Sequence, residues 1–163
     1  MNFSIRRTVS VVSVAAVIFS VLLAGVSASW AQQQTADEDG VKAASRAFYA
    51  ALSGTDVAAM KEVWARTPYV VYVGPRSKSI VRGWAAVEAA WEAALANTSR
   101  SVSLTESYII TDGRIAWEVG NENGTLKLKD GSENKIDAIV TNVYEKQNGR
   151  WLIVSHHVQS KPQ

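Results

Sequence analysis

The spacing of hydrophobic and polar residues changes near residue 100. Before it, apolar residues recur at every third or fourth position, as in the segment from Val41 to Leu52, which Ser53-Gly54 ends. That interval is typical of an amphipathic helix. From Arg100 onward apolar and polar residues alternate, which is typical of a half-buried strand. The pattern predicts helices first and strands afterwards.

Three helices are predicted in the first part of the chain. The first begins at a capping box, with Thr35 as the N-cap and Glu38 three residues later. A second, short helix spans residues 56–64, and the residues after Pro68 predict a short strand over 69–73. The third follows Gly83, and its Trp91 is assigned to the core because large aromatic residues at helical spacing are usually buried.

Three dipeptides mark hairpin turns in the second part: Asp112-Gly113, Asp130-Gly131 and Asn148-Gly149. They separate strands at 114–128, 135–147 and 150–160. The run Gly-Asn-Glu-Asn-Gly at 120–124 predicts a bulge or bend. Consecutive hairpins predict an antiparallel meander, and helices grouped before them indicate an α+β fold rather than alternating α/β units.

The first thirty residues have the layout of a secretory signal peptide. Arg6 and Arg7 precede an apolar stretch over 9–26, and the small residues Ser29 and Ala31 offer a cleavage site before polar Gln32. We predict a signal peptide over residues 1–31, cut after Ala31, and one domain over 32–163 that is periplasmic or secreted. The alternative is a retained membrane anchor.

Charge and cysteine content exclude several classes of protein. The chain has 17 Lys and Arg against 15 Asp and Glu, and the surplus of two is Arg6 and Arg7. A charge-balanced body without a basic cluster argues against nucleic acid as the partner, and against a membrane partner once the signal is removed. With no Cys, the domain has no disulfide and depends on its core.

Several motifs in order resemble one superfamily. They are Arg82-Gly83-Trp84 at the third helix, Ala116-Trp117 in a strand, and the ending TNVYEKQNGRWLIVSHH at 141–157. Together they resemble the nuclear transport factor 2-like, or SnoaL-like, proteins over about residues 37–160. The resemblance implies a cone of three helices packed on a strongly curved, mostly antiparallel sheet. It does not specify function, since this fold hosts enzymes, binding modules and oligomer hubs.

The resemblance also implies a pocket inside the cone. The alternation of each strand suggests three inward rows. They are Val140, Asn142 and Tyr144; Ile115, Trp117 and Val119; and, in the last strand, Leu152, Val154, His156 and Val158. The opposite row, with Glu118 and Asp137, is expected to face outward and to form a homodimer contact. The predicted ligand-pocket residues are Tyr49, Tyr72, Trp84, Trp117, Val119, Asn142, Tyr144, His156 and Val158.

The candidate chemistry is sparse. His156 and His157 are the only histidines and, as strand neighbours, they point to opposite faces, so a metal site is not expected and no cofactor is implied. His156 is the best general acid–base candidate. Ketosteroid-isomerase-like relatives carry an Asp where this chain has Gly74-Pro75. The calcium/calmodulin-type kinase association domain carries pocket arginines where this chain has Val119, Asn142 and Val158.

The leading functional expectation is therefore binding of a small neutral or hydrophobic molecule, without catalysis. One alternative is an isomerase-, cyclase- or dehydratase-type enzyme in which His156 is the general base and Asn142 or Tyr72 polarises the substrate. The other alternative is an oligomeric scaffold whose cone holds no ligand.

Overall fold

The computed structural model describes residues 11–162, so Arg6 and Arg7 of the predicted signal peptide lie outside the described residues. Three helices precede or interrupt the sheet: α1 (Val11–Gly54), α2 (Val57–Val63) and α3 (Trp84–Leu95). The strands are β1 (Val71–Val73), β2 (Val81–Arg82), β3 (Thr98–Thr111), β4 (Ile115–Leu128), β5 (Glu133–Gln147) and β6 (Arg150–Ser160). Within the described residues, none of the helices is long and apolar enough to cross a membrane.

The six strands form one mixed sheet in the order β2-β1-β6-β5-β4-β3. Strands β3 to β6 are an antiparallel meander, and short β1 pairs in parallel with β6, with Tyr72 opposite His156. The predicted α+β fold with a mostly antiparallel sheet is confirmed. We call the sheet face that the helices cover the inner face, and the opposite one the outer face.

The core lies between the helices and the inner face. Helix α1 contributes Phe48 and Leu52, and α3 contributes Val87, Trp91 and Leu95. These side chains recur at helical intervals, so each helix presents one apolar side to the sheet. The assignment of Trp91 to the core is confirmed, because only 3% of this residue is exposed.

Helix α1 does not begin at the predicted capping box. It continues through Thr35, whose hydroxyl donates to the carbonyl of Ala31 inside the helix at 3.0 Å. Asp37 is buried and bound to Lys146, with 2.6 Å between Oδ1 and Nζ. The Thr35–Glu38 prediction is therefore wrong, because Asp37 anchors the helix to the sheet instead of marking a helix terminus.

All three predicted hairpin turns are confirmed. Gly113, Gly131 and Gly149 have φ angles of 90°, 86° and 79°, the left-handed region that glycine adopts without strain. In the first turn Asp112 accepts hydrogen bonds from the backbone amides of Arg114 and Ile115 at 2.8 Å each. These turns set the register of the long strands.

Two bulges reverse the alternation predicted for β3 and β6. In β3 the register shifts between Thr105 and Tyr108, opposite the glycine-rich run of β4 where the bulge was expected. In β6 it shifts near Val154, so Ile153 pairs with Tyr144 and Ser155 with Val143. Because an extra residue moves the following side chains to the other face, the inward prediction is wrong for Leu152 and Val154, which are only partly buried, while Trp151 and Ile153 are buried.

Candidate functional site

The two histidines occupy opposite faces of β6, as predicted. His156 is buried on the inner face and His157 is exposed on the outer face. The His156 ring lies among aromatic rings, with centroid distances of 5.0 Å to Phe48 and 5.8 Å to Tyr72, and its plane is nearly parallel to that of Tyr72. Burial, and secondarily the charge of His157, lower the pKa of His156 to about 3, so the ring is neutral at physiological pH.

Strand β4 presents carboxylates, not aromatic side chains, to the inner face. Glu118 and Glu122 are 2% and 5% exposed, whereas Trp117 is 43% exposed on the outer face. The predictions that Trp117 and Val119 line the interior, and that Glu118 faces solvent, are therefore wrong. The reason is register: Trp117 pairs with Val143 and Glu118 with Asn142, and directly opposed residues share a face.

A buried hydrogen-bond network joins Glu118 to His156. Glu118 accepts from the Tyr144 hydroxyl at 2.8 Å and from the Asn142 side-chain amide at 3.4 Å. The amide oxygen of Asn142 lies 2.7 Å from Nδ1 of His156. Because that oxygen can only accept and the ring is neutral, Nδ1 carries the proton and Nε2 is left as an acceptor. Asn142 and Tyr144 are therefore held inside the domain by Glu118.

A cavity of about 740 Å³ opens between the inner face, α3 and the segment after β1. Its aromatic wall is formed by Tyr72, Trp91 and His156, and the centroids of Tyr72 and Trp91 are 4.7 Å apart. Val158 adds apolar surface. The wall combines aromatic and apolar surface with polar and charged side chains, and a cavity of this volume is typical of small-molecule sites.

Glu122 is a carboxylate in the wall of this cavity. Its Oε2 accepts a hydrogen bond from the Tyr49 hydroxyl at 3.2 Å. Burial raises the pKa of Glu122, although the Tyr49 hydrogen bond and the nearby charge of Arg100 act in the opposite direction. Burial and the charge of Glu122 also raise the pKa of Tyr49, so its hydroxyl stays protonated as the donor. The pair thus provides a carboxyl group that can exchange a proton with a bound molecule.

Two residues that line the cavity each have a buried side-chain donor without an acceptor. Nε1 of Trp91 and Nε of Arg100 are buried and unpaired among the residues that the structure describes. Arg100 is held by its Nη2, which donates to the Ala94 carbonyl and, at 3.0 Å, to the Thr98 hydroxyl. A buried donor without an acceptor is uncommon in proteins, and a ligand can supply the missing acceptor.

The structure brings only part of the predicted site together. Tyr72, His156 and Val158 line the cavity, and Tyr49 reaches it through Glu122. Asn142 and Tyr144 are buried on the inner face beside it. Trp84 is partly buried at the start of α3, where the Arg66 guanidinium lies 5.9 Å from its ring, and it is not among the cavity residues.

The cavity residues that were missed from the sequence as site residues include Trp91, Arg100 and Glu122. Arg100 could have been found, because the period of two places it on the same face of β3 as the apolar Val102. To predict Glu122 as a cavity residue, one had to know which face of β4 points to the helices. In the part of the chain that the structure describes, no group of three His, Asp or Glu side chains could hold a metal ion.

Residues 41–161 match the SnoaL-like domain family. The chain belongs to this family. Among curated proteins, no sequence matches the SnoaL-like chain. The matched range is three quarters of the sequence and contains the whole sheet, the cavity residues other than Pro162, and the buried carboxylates of β4, Glu118 and Glu122.

Solved structures agree with this SnoaL-like assignment. A provisionally named dehydratase of the NTF2-like family from Streptomyces avermitilis has 22% identity and a TM-score of 0.72, and covers 79% of this chain and 99% of its own. A provisionally named calcium/calmodulin-dependent protein kinase type II association domain from Thiobacillus denitrificans has 27% identity and a TM-score of 0.64, covering 74% and 94%. An NTF2-like superfamily protein from Salmonella enterica has 18% identity and a TM-score of 0.68, covering 82% and 94%. These likenesses establish the NTF2-like fold.

Proposed function

We propose that this SnoaL-like domain binds a small, ring-bearing organic molecule in the cavity. The observation that carries the proposal is the aromatic wall, in which Tyr72 lies nearly parallel to His156 and close to Trp91. Flat π-surfaces of this kind favour stacked or edge-on rings. The sequence alone indicated a neutral lining, but Glu122 and Arg100 are in the wall, so the ligand we propose carries a polar group beside its ring.

Native mass spectrometry of the protein purified from its own compartment tests this proposal. We expect a bound small molecule that is lost when Val158→Phe fills the cavity. Val143→Phe is the matched control, because Val143 lies on the outer face opposite Ser155 and should leave the ligand bound. An empty cavity in the native protein would instead favour the scaffold alternative.

A second candidate function is proton-transfer catalysis in the same cavity, with Glu122 as the acid–base group. The observation in its favour is the raised pKa of Glu122, which brings a carboxyl group closer to neutrality. His156, the base suggested by the sequence, is less suited, because a pKa of about 3 makes its imidazole a weak proton acceptor. The provisionally named dehydratase from Streptomyces avermitilis shares the fold.

Turnover measurements on a panel of small carbonyl and hydroxy compounds separate catalysis from binding. If Glu122 is the acid–base group, Glu122→Gln should lower the rate by at least about 100-fold while the substrate still binds. If activity survives in Glu122→Gln and disappears in His156→Ala, the general acid–base group is His156 and not Glu122.

We also propose that residues 1–31 are a cleaved export signal, so that the mature domain is periplasmic or secreted. Residues 30–36 are exposed, and Asp37 is the first buried side chain among those described. The family match begins later still, at residue 41. Intact-mass measurement of the exported protein should give a chain that begins at Gln32, whereas an unprocessed chain in the membrane fraction would support the anchor.

Finally, we propose that the partner of this chain is a second copy of itself, bound through the outer face. Tyr108, Ile110, Trp117 and Ile139 are exposed there, at 75%, 54%, 43% and 44%. Exposed apolar patches of this kind mark interaction surfaces.

A further inference from the structure

Positive charge is concentrated around the cavity. Without Arg6 and Arg7, the chain has 15 of its 17 basic residues left, which equals its 15 acidic residues. The cavity residues nevertheless include four cationic side chains and two anionic ones, the cationic ones being Arg76, Arg100, Lys135 and Lys161 and the anionic ones Glu122 and Asp137. Residues 8–163 are balanced as a whole, so this surplus is local and favours a negatively charged ligand.

The charges at the mouth and in the interior of the cavity differ in their pairing. At the mouth Asp137 is bound by Lys161, with 3.0 Å between Oδ1 and Nζ, and lies 3.8 Å from Lys135. Farther in, Arg100 takes part in none of the ion pairs formed by the described residues. A partly buried guanidinium without a carboxylate within ion-pair distance is costly unless something else neutralises it.

The geometry of Arg100 leaves part of its guanidinium available. Nη2 is used by the Ala94 carbonyl and the Thr98 hydroxyl, so the head group is fixed at the base of β3. Nε is buried and has no acceptor among the described residues. A fixed guanidinium with an unpaired N–H is preorganised for an anionic oxygen.

Trp91, which also lines the cavity, has a second buried donor without an acceptor. Only 3% of this residue is exposed, and its Nε1 has no acceptor among the described residues. The indole also lies 4.7 Å from the Tyr72 ring, centroid to centroid, in the aromatic wall. The wall therefore combines an apolar platform with two unpaired donors, one of them charged.

We propose that Arg100 and Trp91 form an anion subsite that receives the carboxylate of a ring-bearing ligand. The inference rests on the proposed function, because it assigns a polar end to the molecule bound against the aromatic wall. The ring of the ligand packs on Tyr72 and His156, and its carboxylate accepts hydrogen bonds from the guanidinium and the indole. The ligand class is small aromatic or alicyclic carboxylic acids.

Glu122 is compatible with an acidic ligand in the same cavity. Its Oε2 is already bound to the Tyr49 hydroxyl. Burial raises the pKa of Glu122, so its neutral form persists to higher pH than that of an exposed glutamate. A neutral carboxyl group does not repel an anion and can donate a hydrogen bond to it.

Matched probe pairs that differ only in the carboxylate test the subsite. The pairs are phenylacetate with phenylacetamide, and 1-naphthylacetate with 1-naphthylacetamide, titrated into the purified chain by calorimetry. We expect each acid to bind at least about ten-fold more tightly than its amide, as charge-assisted hydrogen bonds imply. Arg100→Gln should reduce that ratio to about one-fold while the amide binds as before.

Nuclear magnetic resonance of the six tryptophan indoles provides a readout independent of affinity. The indole N–H signal that disappears in Trp91→Phe should be the one that shifts on addition of the acid and not of the amide. Arg82→Gln, an exposed arginine on β2, is the matched control and should keep the acid preference. Arg100→Lys should keep part of the preference for the acid over its amide. This variant allows the subsite to be tested even if Arg100→Gln does not fold.

The outcomes separate this inference from the proposed function. If acids and amides bind equally and Arg100→Gln changes neither, the subsite is wrong and the cavity still binds rings. If none of the four probes binds at millimolar concentration, the ring-binding function fails, and the subsite fails with it. An acid preference that persists in both Arg100→Gln and Trp91→Phe would place the anion elsewhere and overturn the assignment.

Discussion

At the scale of single residues, the cavity depends on side chains that are neutral because they are buried. His156 stays unprotonated among Phe48, Tyr72 and Trp91, and the Asn142 amide fixes which ring nitrogen carries the proton. Asn142 is itself fixed by Glu118. This chain of contacts leaves Nε2 of His156 as the acceptor, so the aromatic wall contributes a hydrogen-bond acceptor without a positive charge.

The stability of the protein should depend on the ionisation of His156. Because its pKa is lowered from 6.5 to about 3 in the folded state, the unfolded chain binds a proton there that the native protein does not. The contribution of neutral His156 to the free energy of unfolding is fully present above pH 6.5. It falls by about 1.4 kcal/mol per pH unit as the pH drops toward 3. His156→Asn should remove this part of the slope in urea unfolding measured between pH 7 and 4.

The neighbouring residue provides the control for that experiment. His157→Asn changes an exposed histidine of the same strand and should leave the acid slope nearly as steep as in the parent chain. Equal slopes in His156→Asn and the parent protein would contradict the burial argument.

Glu122 should produce the opposite pH dependence. Its folded-state pKa is raised, so ionisation costs stability as the pH rises from the ordinary value of 4.5 to the raised one. Glu122→Gln keeps an oxygen for the Tyr49 hydroxyl and cannot ionise, so its stability relative to the parent should rise through that window by about 1.4 kcal/mol per pH unit. Thermal unfolding between pH 4 and 8 measures the difference, and the exposed Glu133→Gln should show no such trend.

At the scale of elements, local sequence rules predicted the turns correctly but did not predict which face of each strand is buried. Asp-Gly and Asn-Gly pairs identify hairpins because glycine adopts positive φ at little cost, and that preference acts within two residues. Which row of a strand is buried depends on pairing. In β4 the more hydrophobic row, with Trp117 and Val119, lies on the outer face, while Glu118 and Glu122 are buried. Hydrophobicity alone could not make that choice.

The bulges show the same limit. Nothing local in β6 distinguishes Val154 from its neighbours, yet the register shift there places Ile153 and His156 on the same, inner face. Tertiary pairing with β5 and packing against the helices determine it. The sequence therefore predicted the α+β fold, the hairpins and His156, and it missed Arg100 and Glu122, whose positions depend on non-local register.

The glycines of β4 should be needed for the close approach of β3. A Cβ on Gly124 would lie 1.9 Å from the Ser101 carbonyl oxygen, a backbone atom that cannot move without disturbing the strand pair. Gly124→Ala should therefore destabilise the domain by about 3 kcal/mol or more, as overpacking does. Gly54→Ala is the control, since a Cβ there meets no atom within 4 Å. Denaturant unfolding of the two variants compares them, and equal stability would contradict the close-packing argument.

At the scale of the whole molecule, the two faces of the sheet divide the chemistry. The inner face carries the buried carboxylates and leads to a cavity with a surplus of basic side chains. The central part of the outer face carries apolar side chains together with neutral Thr141 and Ser155. Charge balance over the chain conceals this separation, which is why composition alone indicated a protein without a preference for charged ligands.

The outer face should make the protein a dimer. Ile110 pairs with Trp117 and Tyr108 with Val119, so these four side chains form one apolar surface across β3 and β4. Two copies of such a surface would bury apolar side chains against each other, and a stable interface needs about 800 Å² from each partner. Light scattering at micromolar concentration should give twice the chain mass, and Trp117→Glu should give the monomer because it buries an unpaired charge. Ile80→Glu changes another exposed apolar residue, just before β2 at the opposite edge of the sheet from β3, and should remain dimeric. A monomeric parent chain, or a dimer unaffected by Trp117→Glu, would show that the outer face has another role.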